Sequence, residues 1–227
     1  MDPHAEDLLP HLARSARYRV LSLLFAPPTD GLGEALRALT MELHGDGAPA
    51  LQALARDAGS ALAGDYHRAL GPSGGVRDAE SDYEVNPLGG KGPLIADVAG
   101  FYDAFKYHDT SLEGLPPDHL SIELGYLGWL AFRAAYARAS GELEAEALCV
   151  RASERFVTDH LGRWARTFFQ RVHERVGGGW YDRAATVAEE TLAALEPGRL
   201  SPPVEDRRRV ALPTLDESDE CGLPSGA

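Results

Sequence analysis

Apolar residues recur at intervals of three and four along almost the whole chain, and no useful run of strict alternation interrupts them. That spacing restricts the chain to helices packed on helices. In the first segment Leu9, Leu12, Ala16, Val20, Leu23 and Leu24 follow it, with Tyr18, Leu21 and Phe25 as a second stripe. A helix apolar on two sides is a buried one. Pro27-Pro28 stops it, and Thr29 or Asp30 can cap a second helix from about Leu32 to Leu43. Gly45, Gly47 and Pro49 break that piece, and a third helix runs from about Ala50 to Leu70.

Residues 71–93 are dense in glycine and proline and follow neither period, so they read as a long loop, a kind that is usually functional or disordered. A helix from Leu94 to Phe105 and a second loop over 107–117 come next. Asp118, directly after Pro116-Pro117, is a natural N-cap for the following helix. Leu120, Leu124, Leu127 and Ala131 form one stripe of that helix and Ile122, Tyr126, Trp129 and Phe132 another, which places it at the centre. Three more amphipathic stretches run from about Glu142 to His160, Arg163 to Val176 and Trp180 to Leu195, the first with a stripe of Leu148, Ala152 and Phe156. The reading is all-α: one helical-bundle domain of about seven or eight helices over residues 1–197. Residues 198–227, rich in proline, serine and charge, read as a disordered tail.

Charge and cysteine count narrow the function. The formal charge of the 227 residues is −13, which repels phosphate backbones and anionic lipid, and the one dense basic run, Arg207 to Arg209, sits among acids. Nucleic-acid binding and membrane insertion are therefore not expected. Apolar stretches such as Leu124 to Phe132 fall far short of the ~20 residues of a membrane span, and the N-terminus lacks the basic and apolar regions of a signal peptide. Cys149 and Cys221 have no CxxC spacing, so the expected compartment is the reducing cytosol.

Motifs for chemistry find little support. Gly71, Ser73 and Gly75 spell G-x-S-x-G, but a nucleophile elbow needs a strand entering the turn, and here a helix enters. Gly89 to Gly92 lacks the upstream glycine and the Ser/Thr of a P-loop. None of the eight histidines follows a glutamate by three residues, and there is no HExxH, so metal and cofactor are expected to be absent. His119 and Glu123, one turn apart, could hold a metal with Asp118, although a capped helix start explains them more simply. Two Asp-His-Leu tripeptides occur. His160 in the second reads as a helix end, where the C-terminal dipole favours it. His119 in the first opens a helix, where a positive charge would oppose the dipole, so residues 116–123 form the most suspicious surface.

The segment IADVAGFYDAFKYHDTSLEGLPPDHLSIELGYL, Ile95 to Leu127, resembles the signature of the TorD/DmsD/NarJ-type redox enzyme maturation chaperones. Its first piece matches at Asp97, Gly100, Phe101, Tyr102, Ala104 and Phe105, and its second at Pro117, Asp118, His119, Leu120, Glu123 and Leu124. Lys106 stands where that family often has glycine, and Gly125 where a second acid is common. The resemblance extends over about residues 8–195. It implies a cytoplasmic chaperone without turnover chemistry, which binds the apo catalytic subunit of a molybdopterin-containing oxidoreductase until its cofactor is inserted. Binding would often engage the client's N-terminal leader, with or without a twin-arginine signal, and Pro117, Asp118 and His119 would be associated with it.

A basic, partly helical leader suits an acidic groove with an apolar floor. The expected charged contacts are Asp118, Glu123 and Glu84, with His119 as a polar or orienting group and Tyr83, Tyr102 and Phe105 as apolar wall. Asp97, Gly100, Phe101, Leu120 and Leu124 are the structural part of the signature, and core packing accounts for Phe101 and Phe105 equally well. The loop from Gly71 to Pro93 is long enough to exchange segments, so either a monomer or a domain-swapped dimer is compatible. A generic helical adaptor shares the composition but gives no reason for the Pro-Asp-His helix start.

Overall fold

The computed structural model describes residues 3–59, 62–71, 75–83 and 90–204. Helix α1 spans Pro3–Phe25, α2 Leu32–Met41, α3 Ala48–Asp57, α4 Leu62–Ala69, α5 Gly92–Phe105 and α6 Leu120–Ala139. They are followed by α7 at Leu143–Phe156, α8 at Gly162–Val176 and α9 at Trp180–Leu195. Among the described residues there is no strand, and the all-α reading is borne out. No helix among them is long and apolar enough to cross a membrane.

Helix α6 lies at the centre, as its two stripes require. Leu120, Leu124, Tyr126, Leu127 and Leu130 are fully buried, each contributing about 1.5–3 kcal/mol by leaving water. It packs antiparallel against α1, where Ser22 Oγ donates to the Ser121 carbonyl at 2.7 Å and Ser15 Oγ to that of Gly128 at 2.8 Å. Gly128 permits this approach, because a Cβ there would lie 3.3 Å from both the Ser15 carbonyl and the Tyr18 side chain. On the far side α7 packs along α6, while α8 and α9 close the core around Phe25, Phe168 and Phe169.

Four local expectations are corrected. The helix read as Ala50 to Leu70 is two, because Ala58 turns extended at φ −70°, ψ 98° and ends α3. The stretches read as separate at Gly162 are continuous, since α7 passes into α8 through one π-helical turn, Val157–Leu161. Gly162 keeps helical angles there and owes its missing side chain to the Arg199 carbonyl crossing over it. The stripe of α7 is rotated: Leu148 is exposed, while Cys149, Ser153 and Phe156 face inward. Finally, the ordered body passes residue 197, because Leu200 is buried and the Ser201 amide donates to the Gly162 carbonyl at 2.8 Å. Residues 205–227 lie outside the described residues.

Candidate functional site

Pro116 and Pro117 bring the chain into α6, and it is His119, not Asp118, that caps the helix. His119 is extended at φ −75°, ψ 137°, and its Nδ1 accepts the Ser121 amide at 3.1 Å. With Nδ1 accepting, Nε2 is left to face Asp78 Oδ2, 3.1 Å away. The helix start is clasped by residues 78–82. The Glu80 amide donates to the Asp118 carbonyl at 2.9 Å and the Leu120 amide to the Asp78 carbonyl at 2.8 Å, an isolated antiparallel bridge between Ala79 and His119. The Asp118 carboxylate caps this second strand of the clasp, accepting the Ser81 amide at 2.9 Å.

Three carboxyl groups meet beneath the clasp. Asp118, Glu123 and Glu80 are all inaccessible to solvent. Glu80 Oε2 lies 3.0 Å from His160 Nδ1, and Trp164 Nε1 donates to Glu123 Oε2 at 3.2 Å. Burial pushes the Glu123 carboxyl well above the usual carboxylate range, and the neighbouring charges of Glu80 and Asp118 push the same way, against the Trp164 hydrogen bond. A protonated Glu123 can donate to Glu80, which turns a repulsive pair into a hydrogen-bonded one. His160 completes the tie: its Nε2 lies 3.3 Å from Asp97 Oδ2 on α5. The helix-end reading of His160 is therefore replaced, since the π-turn carries it into the interior instead of ending the helix.

Aromatic rings fasten α5 to the same place. Tyr102 is buried, its hydroxyl donating to the Pro117 carbonyl at 2.8 Å and its ring 4.9 Å from that of Tyr126. Phe101 packs edge-on to Phe156 at 5.3 Å and His160 at 5.4 Å, and the Phe105 carbonyl accepts Trp129 Nε1 at 3.0 Å. Tyr83 is sandwiched, with Trp164 at 5.0 Å on one side and the Arg171 guanidinium at 4.5 Å on the other.

The structure brings Pro117, Asp118, His119, Glu123 and Tyr102 together, with Pro117 half-buried and the other four in the interior. Asp118 and Glu123 point into the carboxyl cluster and His119 onto Asp78 and the Ser121 amide, so none of the three side chains stands at the surface. Leu120 and Leu124 are core. Asp97 and Gly100 are the exposed members of the signature, and Phe101 and Phe105 are half-buried. Glu84 and Ser73 lie outside the described residues, while Lys91 of the GGKG stretch pairs with Asp82 at 2.6 Å. Sequence reasoning missed Glu80, His160 and Trp164 as partners; the acid-rich ESDYE segment was the one signal for the first. His119 and Glu123 diverge to different partners, and no group of three His, Cys, Asp or Glu among the described residues is arranged to hold a metal.

Fold and site together define an all-α scaffold whose signature residues tie a loop, the helix α5 and the central helix into one unit. The chain belongs to the nitrate reductase delta subunit family, whose model matches residues 27–170, more than half of its length. It is also similar to the chlorate reductase assembly chaperone protein of Ideonella dechloratans, 33% identical over 101 residues. Those residues are 44% of this chain and 51% of that protein, so the chain spans about half the length of the curated relative it matches. No solved structure matches it. The family read from the two signature segments is borne out.

Proposed function

We propose that the chain is an assembly chaperone, which binds the apo catalytic subunit of a molybdopterin-containing oxidoreductase in the cytoplasm until its cofactor is inserted. The observation that carries this reading is the extent of the family match. It covers both signature segments and the acid cluster that joins them, the part of the chain for which a generic adaptor has no use. The chaperone acts by binding and release, without turnover.

Within this reading Asp118, His119, Glu123, Pro117 and Tyr102 are positioning residues. They fix α5 against α6, and the client's basic leader meets the outward side of α5. Asp97 and Asp103 are exposed there as charged contacts, beside the half-buried Phe101 and Phe105 as apolar floor. Calorimetric titration with a synthetic basic leader peptide bearing a twin-arginine motif tests it. Replacing Asp103 by alanine should weaken binding about fivefold with an unchanged thermal melt. Raising salt from 0.1 M to 1 M, which shortens the Debye length from ~10 Å to ~3 Å, should weaken binding without abolishing it. No measurable binding, or affinity indifferent to both changes, sinks the reading.

A further inference from the structure

Lys106 and Arg133 are exposed cations with no carboxylate partner among the described residues, and the exposed imidazole of His108 lies with them, on a chain whose formal charge is −13. They surround an aromatic ledge. Trp129 and Phe132 stack with ring centroids 6.1 Å apart and planes at 25°, and the Arg133 guanidinium lies 5.8 Å from the Trp129 centroid. Phe132 is 48% exposed, a large apolar ring left in water beside Tyr136 at 64%. Beneath the ledge, between α1 and α6, opens a hollow of about 290 Å³, lined by Lys106, Tyr107 and His108, by Gly125 and Gly128, and by Arg19 and Asp109, whose charges cancel in an ion pair at 2.5 Å. A side chain at Gly125 would run into the Tyr107 hydroxyl, so glycine there lets Tyr107 close this end of the hollow against α6.

Lys106 supplies the second observation. It closes α5 at φ 54°, ψ 39°, the one residue other than glycine with a positive φ among those described. Glycine would take these angles without a steric cost. A backbone strain accepted at the wall of a hollow, by a residue that brings a free ammonium group there, points to use of that group.

We infer that the ledge and hollow form a docking surface for an acidic peptide segment bearing an apolar or aromatic side chain, which seats on Trp129 and Phe132 while its carboxylates meet Lys106, His108 and Arg133. That the segment comes from the client rests on the chaperone reading; the surface itself does not. Lys106 and Arg133 repel a basic leader, so the leader and the acidic segment would occupy separate sites. A nucleic acid is the poorer occupant, because the remaining surface opposes a polyanion.

The test uses the full chain and a short fluorescein-labelled peptide of glutamate and aspartate around a central Phe-Leu pair, followed by anisotropy. Arg133→Glu should weaken binding about five- to tenfold. Lys106→Gly should weaken it about threefold and yet raise the melting temperature, opposite movements that a purely structural lysine would not give. Both variants should bind the basic leader as the parent does. The inference is overturned if the acidic peptide binds no better than its lysine-for-acid counterpart, if both variants bind it normally, or if an oligonucleotide binds more tightly through Arg133. Leader binding without acidic-peptide binding removes this surface and leaves the chaperone reading standing; the converse removes the leader reading and leaves the surface.

Discussion

Glu123 is buried together with Glu80 and Asp118, and its raised pKa, caused first by burial and then by Glu80, has a consequence for stability. Its folded-state pKa lies above the ordinary value of 4.5, so on raising the pH the unfolded chain releases this proton before the folded one does. The group's contribution is fully present below that ordinary value and is lost as the pH climbs through the folded one, at about 1.4 kcal/mol per pH unit inside the window. Glu123→Gln keeps an acceptor for Trp164 Nε1 and a donor for Glu80, and it cannot ionise. Thermal melts of both proteins from pH 5 to pH 8 should therefore coincide near pH 5 and separate as the pH rises, the Gln variant being the more stable. Parallel curves would mean that Glu123 is ionised throughout. From the sequence, Asp118, His119 and Glu123 were visible as a group but their direction was not. Whether a polar side chain at a helix start looks outward depends on what crosses it, and here the crossing segment is Ala79–Asp82, which has no period of its own.

Helix α5 shows the limit of periodicity in another way. Its apolar residues predicted a helix ending at Phe105, as found, but they did not predict that it would lie on the surface with only Val98 and Tyr102 buried. Large rings, and not close backbone packing, hold it down. Gly100 sits in its interior, exposed, with no atom within 4 Å of where a Cβ would stand. Nothing in the fold requires glycine there, and in a helix interior it costs about 1 kcal/mol relative to alanine. Gly100→Ala should raise the melting temperature by about 2–4 °C. If the client approaches this face closely, the same change weakens leader binding, and the pairing of a higher melt with lower affinity would locate the contact. An unchanged or lower melting temperature would show that the glycine serves the fold after all. The π-turn at Val157–Leu161 was equally out of reach of the sequence, because one extra residue in a continuous helix leaves the three-and-four spacing on either side intact and only rotates the two halves.

At the scale of the molecule, the chain end decides how far the body extends. Ser201, Pro202 and Pro203 carry no helical period, so the sequence placed them with the tail. They are held instead against the body, by hydrogen bonds that composition does not reveal. The Ser201 amide donates to the Gly162 carbonyl at 2.8 Å and the Val204 amide to Thr167 Oγ1 at 3.0 Å, so the segment runs along α8 for more than a turn. Leu200 is buried at 9% exposed, the Arg199 carbonyl crosses over Gly162, and the Arg199 side chain reaches both Glu154 at 2.7 Å and the fully buried Glu196 at 3.4 Å. Glu196 is also bonded by Arg14 and Tyr18, which ties α1 to the end of α9. Burial of a leucine contributes about 2 kcal/mol and a backbone hydrogen bond about 1 kcal/mol, while the Arg199 pairs, partly exposed, add little. Truncation after Gly198 should thus cost about 3 kcal/mol, or about 6–12 °C in melting temperature for a domain of this size. Truncation after Val204 removes none of these contacts and should leave the melt within about 2 °C of the full chain. Scanning calorimetry of the two truncations side by side separates the cases: equal melts would return residues 199–204 to the tail, and a loss confined to the shorter protein makes them the last structural element of the fold.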